Sequence, residues 1–427
     1  MPRPSPAPQS VAGLRGLLAR HWGWALASVG VVAAVAALAL EGSDARSAAS
    51  QVWSPFVLVT GLLLVGLIAD QDGLFAAAGH RLSRAAPNGL VLFAGAALLV
   101  AGVTAVLNLD TSVVFLTPVL AYAARSRGEG EGALLVGCLL LSNAGSLLLP
   151  GSNLTNLIVL GHLHLSGGQF LARMALPWVG AVVLTGGIIA VAERRSLRGN
   201  RPRPADRSDL DLDLDPDPDP DPDPDPDMTV APPKAPLEAS PAADATLGLG
   251  ALGVMAVTVL VLALRDPALP VAGVGVLLVA VRLATRRQQL DHVLEVLGVP
   301  VLVGLFGIAL ALGTLGRAWS GPATLLSHLD GVGTAVVAAL ATVVVNNLPA
   351  ASLLASRVPP HPYALLVGLN IGPNLFVTGS LAWILWWRTA RSAGSAPPVR
   401  RAVVLGLLTV PLSMAAALGL LAVTGSL

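Results

Sequence analysis

The 427-residue chain is 54% hydrophobic and only 12% charged, with a mean hydropathy of +0.73. Water-soluble domains carry about 25% charged residues, so this composition excludes a chain that covers its surface with polar groups and fits one that faces lipid. One cysteine, Cys138, excludes an intrachain disulfide and a multi-thiolate metal centre, and the net charge of +1 conceals a split: residues 193–245 carry −7 and the remainder +8.

Residues 1–22 read as a cytoplasmic tail holding Arg3, Arg15 and Arg20. A first membrane half is expected over 23–192. Its apolar runs at 24–40, 54–70, 133–160 and 174–192 approach the ~20 residues that a spanning helix needs. The first run is long for a secretory signal, so it reads as a retained span although Ala37-Leu38-Ala39 follows it. The stretch 90–123 is apolar but broken at Asn108-Leu109-Asp110-Thr111. Such residues disfavour a helix interior and are costly in lipid, so the stretch reads as a re-entrant hairpin with a polar tip. His162 and His164 lie two apart, a spacing that places them on different helix faces, and read as loop residues without a metal role.

Residues 193–245 form the domain boundary, with Asp-Leu and then Asp-Pro pairs running through Asp227. Proline removes backbone donors and the aspartates repel one another, so an extended, disordered cytoplasmic linker is expected. A calcium role is disfavoured because no turn glycine serves the aspartates.

A second half follows over 246–427, with spans at 246–264, 268–284, 298–315, 363–387 and 402–424. The stretch 333–357 is broken at Asn346-Asn347-Leu348-Pro349 and reads as a second re-entrant hairpin. If both hairpins return to the side they entered from, 21 of the 26 basic residues lie on the cytoplasmic side, and the short loops alone split 14 to 5. A single crossing by 333–357 would put the Arg388–Arg401 cluster outside, against the positive-inside rule.

The halves share a pattern. Thr104 precedes Asn108 by four residues, as Thr342 precedes Asn346. Asn143-Ala144-Gly145 then Gly151-Ser152 match Asn370-Ile371-Gly372 then Gly379-Ser380, so the spans 133–160 and 363–387 read as broken helices. The expected fold is an all-α membrane protein, an inverted-repeat secondary transporter with two re-entrant hairpins and two broken helices. Helix breaks expose N–H and carbonyl groups that can hold a solute without full charges.

Asp110 is the one acidic residue inside an apolar stretch, which makes it the candidate for proton coupling, with a helix cap as its alternative role. Candidates for solute or ion binding are Asn108, Thr111, Ser112, Asn143, Gly145, Ser152, Asn153, Thr155, Asn156, Asn346, Asn347, Asn370, Gly372, Asn374, Thr378, Gly379 and Ser380. No Lys, Arg or His lies in the four breaks, which suits an uncharged hydroxylated solute or an anion accompanied by a cation. Ser152 has no placed base, so an enzymatic role is not expected.

Three stretches carry a family resemblance: Asn108-Leu109-Asp110 through Leu116-Thr117-Pro118, Ser152-Asn153-Leu154-Thr155-Asn156-Leu157, and Asn346-Asn347-Leu348-Pro349 with Ile371-Gly372-Pro373 through Leu381. They resemble the arsenite/antimonite permeases of bacterial arsenical resistance, within the ion-transporter superfamily that also holds citrate and dicarboxylate carriers. Leu109 separates Asn108 from Asp110 where those permeases pair Asn with Asp directly, and the Ser-Asn-Thr signature of the dicarboxylate carriers is missing from both tips. The resemblance implies proton-coupled efflux of arsenite or antimonite across the cytoplasmic membrane, with a sodium- or proton-coupled carrier of citrate, dicarboxylates or other anions as the alternative. Trivalent arsenic favours several thiolates, so the single Cys138 reads as a packing residue. The expected partners are a small inorganic solute, a coupling proton or sodium ion, and the bilayer. No cofactor or nucleic acid is expected, and a homodimer and a soluble ATPase subunit are open alternatives. The N-terminus and linker are expected inside and the C-terminus outside.

Overall fold

The computed structural model describes residues 10–161, 163, 165–198, 248–286 and 288–427, with side chains from 23 onward. The linker from 199 to 245 and both His162 and His164 lie outside the described residues.

Every regular element among the described residues is helical. The first half contains α1 (Ser10–Leu40), α2 (Gly42–Gln71), α3 (Leu74–Ala85), α4 (Gly89–Leu107), α5 (Leu109–Arg125), α6 (Gly132–Gly145), α7 (Leu154–Leu160), α8 (Gly167–Ala192) and α9 (Arg194–Leu197). The second contains α10 (Leu249–Ala263), α11 (Ala268–Ala284), α12 (Leu290–Leu297), α13 (Val299–Ala318), α14 (Gly321–Ser327), α15 (Gly331–Val345), α16 (Asn347–Leu354), α17 (Pro362–Ile371), α18 (Leu381–Ser392) and α19 (Val399–Val423). Six helical stretches among the described residues are long and apolar enough to cross a bilayer. With that composition and long exposed apolar faces such as Val29, Val32 and Val35 on α1, the chain is a multi-pass membrane protein.

Most expected spans recur within a few residues of their helices, but α2 begins at Gly42, ahead of the expected 54, and α8 at Gly167, ahead of the expected 174. Three differences stand out. The helix α1 already begins at Ser10, inside the expected tail. Residues 193–198, expected at the start of the linker, are packed: Glu193 is 1% exposed and pairs with Arg401 on α19. Burial pushes its carboxyl pKa up, and the Arg401 guanidinium opposes that rise. The short helices α3, α12 and α14 occupy connections with no expected span. α3 and α12 are amphipathic, a pattern that a search for continuous apolar runs passes over.

Both interrupted stretches are helical hairpins. At each break an asparagine takes a positive φ, +108° at Asn108 and +75° at Asn346. Each ends one helix by donating its N–H to the threonine four residues back, at 3.1 Å to Thr104 and 2.9 Å to Thr342. Each starts the next helix by accepting an N–H on its side chain, from Thr111 at 2.9 Å and Leu348 at 3.4 Å. α5 folds back on α4, and α16 on α15.

The hairpins open at opposite ends of the bundle. At one end Arg127, just past α5, reaches the carbonyls of Ser83 (2.7 Å) and Ala86 (2.9 Å), just before α4. There Arg125 also meets the carbonyl of Ala393, Glu193 meets Arg401, and Asp72 pairs with Arg282 while accepting from the Gly250 N–H. At the other end Arg173 meets the Tyr363 hydroxyl, Arg357 donates to the Arg317 carbonyl, and Gly331, which begins α15, lies against Leu427. α8 and α19 pack on each other and connect the two ends. Glycines permit the closest crossings: a Cβ on Gly304 of α13 would lie 2.6 Å from the main chain of Leu26 on α1.

Candidate functional site

Four helices begin immediately after a break: α5, α7, α16 and α18. All four begin at one cavity of about 20 Å³, lined by Leu109 and Asp110, Asn153 and Leu154, Asn346, Asn347 and Leu348, Ser380 and Leu381, and by Leu305 of α13. That volume is near what one water-sized particle needs. First-turn N–H groups carry partial positive charge, so the cavity favours electron-rich oxygen. Its polar side chains are one carboxylate, three amides and one hydroxyl, with no basic group among them.

The hairpins are pinned to the broken helices by matching bonds. Ser152 donates to the carbonyl of Ala105 at 2.8 Å, three residues before Asn108. Thr378 donates to the carbonyl of Val343 at 2.6 Å, three residues before Asn346. Spacing of the Gly-Ser pairs aligns Ser152 with Ser380, but these bonds make Thr378 its counterpart. Asn346 also donates to the Thr378 carbonyl at 3.1 Å, and the Asn347 N–H to that of Gly379 at 2.9 Å.

A second layer of buried amides ties the two halves together. The Asn143 side chain donates to Asn374 at 2.9 Å, which donates in turn to the Leu140 carbonyl at 2.9 Å. Asn370 is a hub: its oxygen accepts from Ser146 (2.6 Å) and Asn153 (2.7 Å), and its NH₂ donates to Asn156 and the Leu366 carbonyl, both at 2.8 Å. Asn156 also reaches the carbonyls of Ser146 and Leu149. Most of these groups are spent on one another, as buried polar groups must be.

The structure thus divides the candidates of the sequence. Asp110, Asn153, Asn346, Asn347 and Ser380 line the cavity. Asn143, Asn156, Asn370 and Asn374 form the cross-half layer behind it, while Asn108 and Ser152 fix the first hairpin. Gly145 and Gly379 contribute carbonyls, to the Trp178 indole and to Asn347. Gly372 lies against Ala339 where a Cβ would meet its Cα at 2.5 Å. Thr111 turns its methyl toward Gly66 of α2, Ser112 makes a long 3.5 Å contact with the Val100 carbonyl, and Thr155 is fully buried outside the cavity lining. Two polar atoms of cavity residues are buried without a hydrogen-bond partner: Asp110 Oδ1 and Ser380 Oγ. Sequence reading missed Ser146, whose small hydroxyl follows the Asn143-Ala144-Gly145 signal, and Leu305, which nothing distinguishes among its apolar neighbours.

The chain is similar to the arsenical pump membrane protein of Escherichia coli (strain K12), with 24% identity over 395 residues, covering 85% of this chain and 84% of the relative. The protein of that name from Yersinia enterocolitica is 22% identical over 394 residues, with the same coverage. Among solved structures, the YdaH transporter of Alcanivorax borkumensis aligns over 89% of this chain and 87% of its own at 15% identity and a TM-score of 0.49. The sequence profile described as citrate transporter matches residues 17–386, most of the chain, which therefore belongs to this family of membrane transporters.

Proposed function

We propose that the protein is a secondary active transporter that exports arsenite or antimonite across the cytoplasmic membrane in exchange for protons. The observation that carries this reading is the cavity where the four breaks meet, which offers a carboxylate, amides and a hydroxyl but no cationic side chain. Arsenous acid is a small, largely neutral trihydroxy solute at physiological pH, and such a lining matches its hydroxyls with both donors and acceptors. Asp110 is the proton carrier: its carboxylate lies at the cavity with one oxygen unpartnered. Curated relatives named as arsenical pumps support the cargo.

Both hairpins are re-entrant, with their tips near the midplane. The arginine-rich end, the N-terminal tail and the linker face the cytoplasm and the C-terminus faces outward. The arginine distribution and the opposite openings of the hairpins support this orientation.

A carrier of citrate or another organic anion is the second reading. The family's description favours it, as do the helix starts facing the cavity. Everted vesicles distinguish the two. With an imposed proton gradient they should accumulate arsenite, and excess citrate should leave that uptake unchanged. Citrate uptake without arsenite uptake by folded protein would reverse the assignment.

A further inference from the structure

Two helices that line the cavity with their first residues are held together at their far ends. α7 runs from Leu154 toward Ile158, about 6 Å on, and α16 from Asn347 toward Ala355, about 12 Å on. There the side-chain amide of Gln51, on α2, donates to the carbonyls of Ile158 (3.0 Å) and Ala355 (2.9 Å). Arg317, on α13, donates to the Gln51 oxygen at 2.6 Å and to the Gly313 carbonyl at 2.9 Å. Arg357 completes the group by donating to the Arg317 carbonyl at 2.7 Å. One amide and one guanidinium therefore bridge α2, α7, α13 and α16 beyond the helix starts that line the cavity, where Ile158 and Ala355 are fully buried.

The other flank of the cavity is different. The bonds from Asn346 and Thr378 lie at an exposed surface, beside Val344 (79% exposed) and Phe376 (46%). Non-helical backbone at membrane depth cannot face lipid, so an exposed break there lines a water-filled cavity or a further protein surface.

We propose that Gln51 and Arg317 form a clasp that shuts the site at the end away from the arginine-rich face, and that solute crosses that end only when the clasp opens. Its bonds to Gln51 join a side-chain amide to carbonyls or to the guanidinium. The two amide–carbonyl bonds are individually modest and the guanidinium bond is the stronger one, so the clasp rests on a few bonds that can break and re-form on every cycle. The proposal rests on reading the cavity as the translocation site, but not on which solute passes.

Accessibility of a single cysteine tests it without any cargo. Leu154→Cys is placed in a Cys138→Ala background, and a membrane-impermeant maleimide is added to proteoliposomes from either face. Labelling is expected from the arginine-rich face. Adding Gln51→Ala or Arg317→Met should raise labelling from the opposite face about tenfold or more, as two or more bonds are lost. Unchanged labelling from the arginine-rich face serves as the folding control, and Ser380→Cys provides a second reporter. Labelling from the opposite face that is equally fast with and without Gln51 overturns the clasp and leaves the site reading intact. No labelling from either face in any variant overturns both.

Discussion

Two classes of buried polar side chain meet at the centre of this protein, and they should answer differently to mutation. Asn370 satisfies Ser146, Asn153 and Asn156 at once; Asn370→Ala leaves Ser146 its bond to the Asn143 carbonyl, but strips the Asn156 oxygen of its donor and leaves the Asn153 amide only a long 3.5 Å contact to Ser146. At roughly 1–3 kcal/mol for each of these two groups, the loss should be about 2 kcal/mol or more and should appear as a marked fall in Tm in detergent. The Ser380 hydroxyl has no partner, so Ser380→Ala should shift Tm little while raising the solute concentration needed for half-maximal transport. Equal Tm losses in the two variants would contradict the division. The sequence displays all these residues as polar interruptions of apolar runs, yet Asn370 and Ser380 look alike there. What separates them is whether a donor from the other half, more than 200 residues away in the chain, arrives within hydrogen-bond distance.

At the scale of the helical element, the breaks at Asn108 and Asn346 share one construction. A left-handed residue ends one helix and caps the next, and the threonine four residues back receives its N–H. The side chain supplies the cap and the conformation strains it. Asn108→Gly should therefore lose the cap, a few tenths of a kcal/mol, while shedding the strain of holding φ near +108°, about 1–3 kcal/mol. Asn108→Ala loses the cap, about 1 kcal/mol, and keeps the strain. Chemical denaturation of the purified variants should rank them Gly, wild type, Ala; an Ala variant as stable as the Gly variant would show that the turn relaxes. These breaks were legible in the sequence because asparagine, aspartate and proline contradict their apolar surroundings. The amphipathic α3 and α12 were not legible: their apolar residues lie on one face and form no continuous run.

For the whole molecule, opposite hairpins bring four helix starts to one place. The repeat of Thr-x-x-x-Asn and of interrupted helices was enough to expect an inverted architecture. The arginine split expected from the sequence matches the bundle: Arg125, Arg127, Arg282 and Arg401 gather at one end, and Arg173, Arg317 and Arg357 at the other. The convergence itself was not legible, since it depends on Asn143–Asn374 and the Asn370 hub drawing the two halves together.

The central claim is that the cavity of the four breaks carries solute in exchange for protons, with Asp110 as the proton carrier. Proton movement on addition of arsenite to everted vesicles, with wild type and Asp110→Asn compared at equal expression, tests it most directly. The wild type should dissipate an imposed pH gradient as arsenite enters, and Asp110→Asn should not, while still exchanging arsenite across the membrane without a gradient. Undiminished arsenite-driven proton flux in Asp110→Asn would contradict the account.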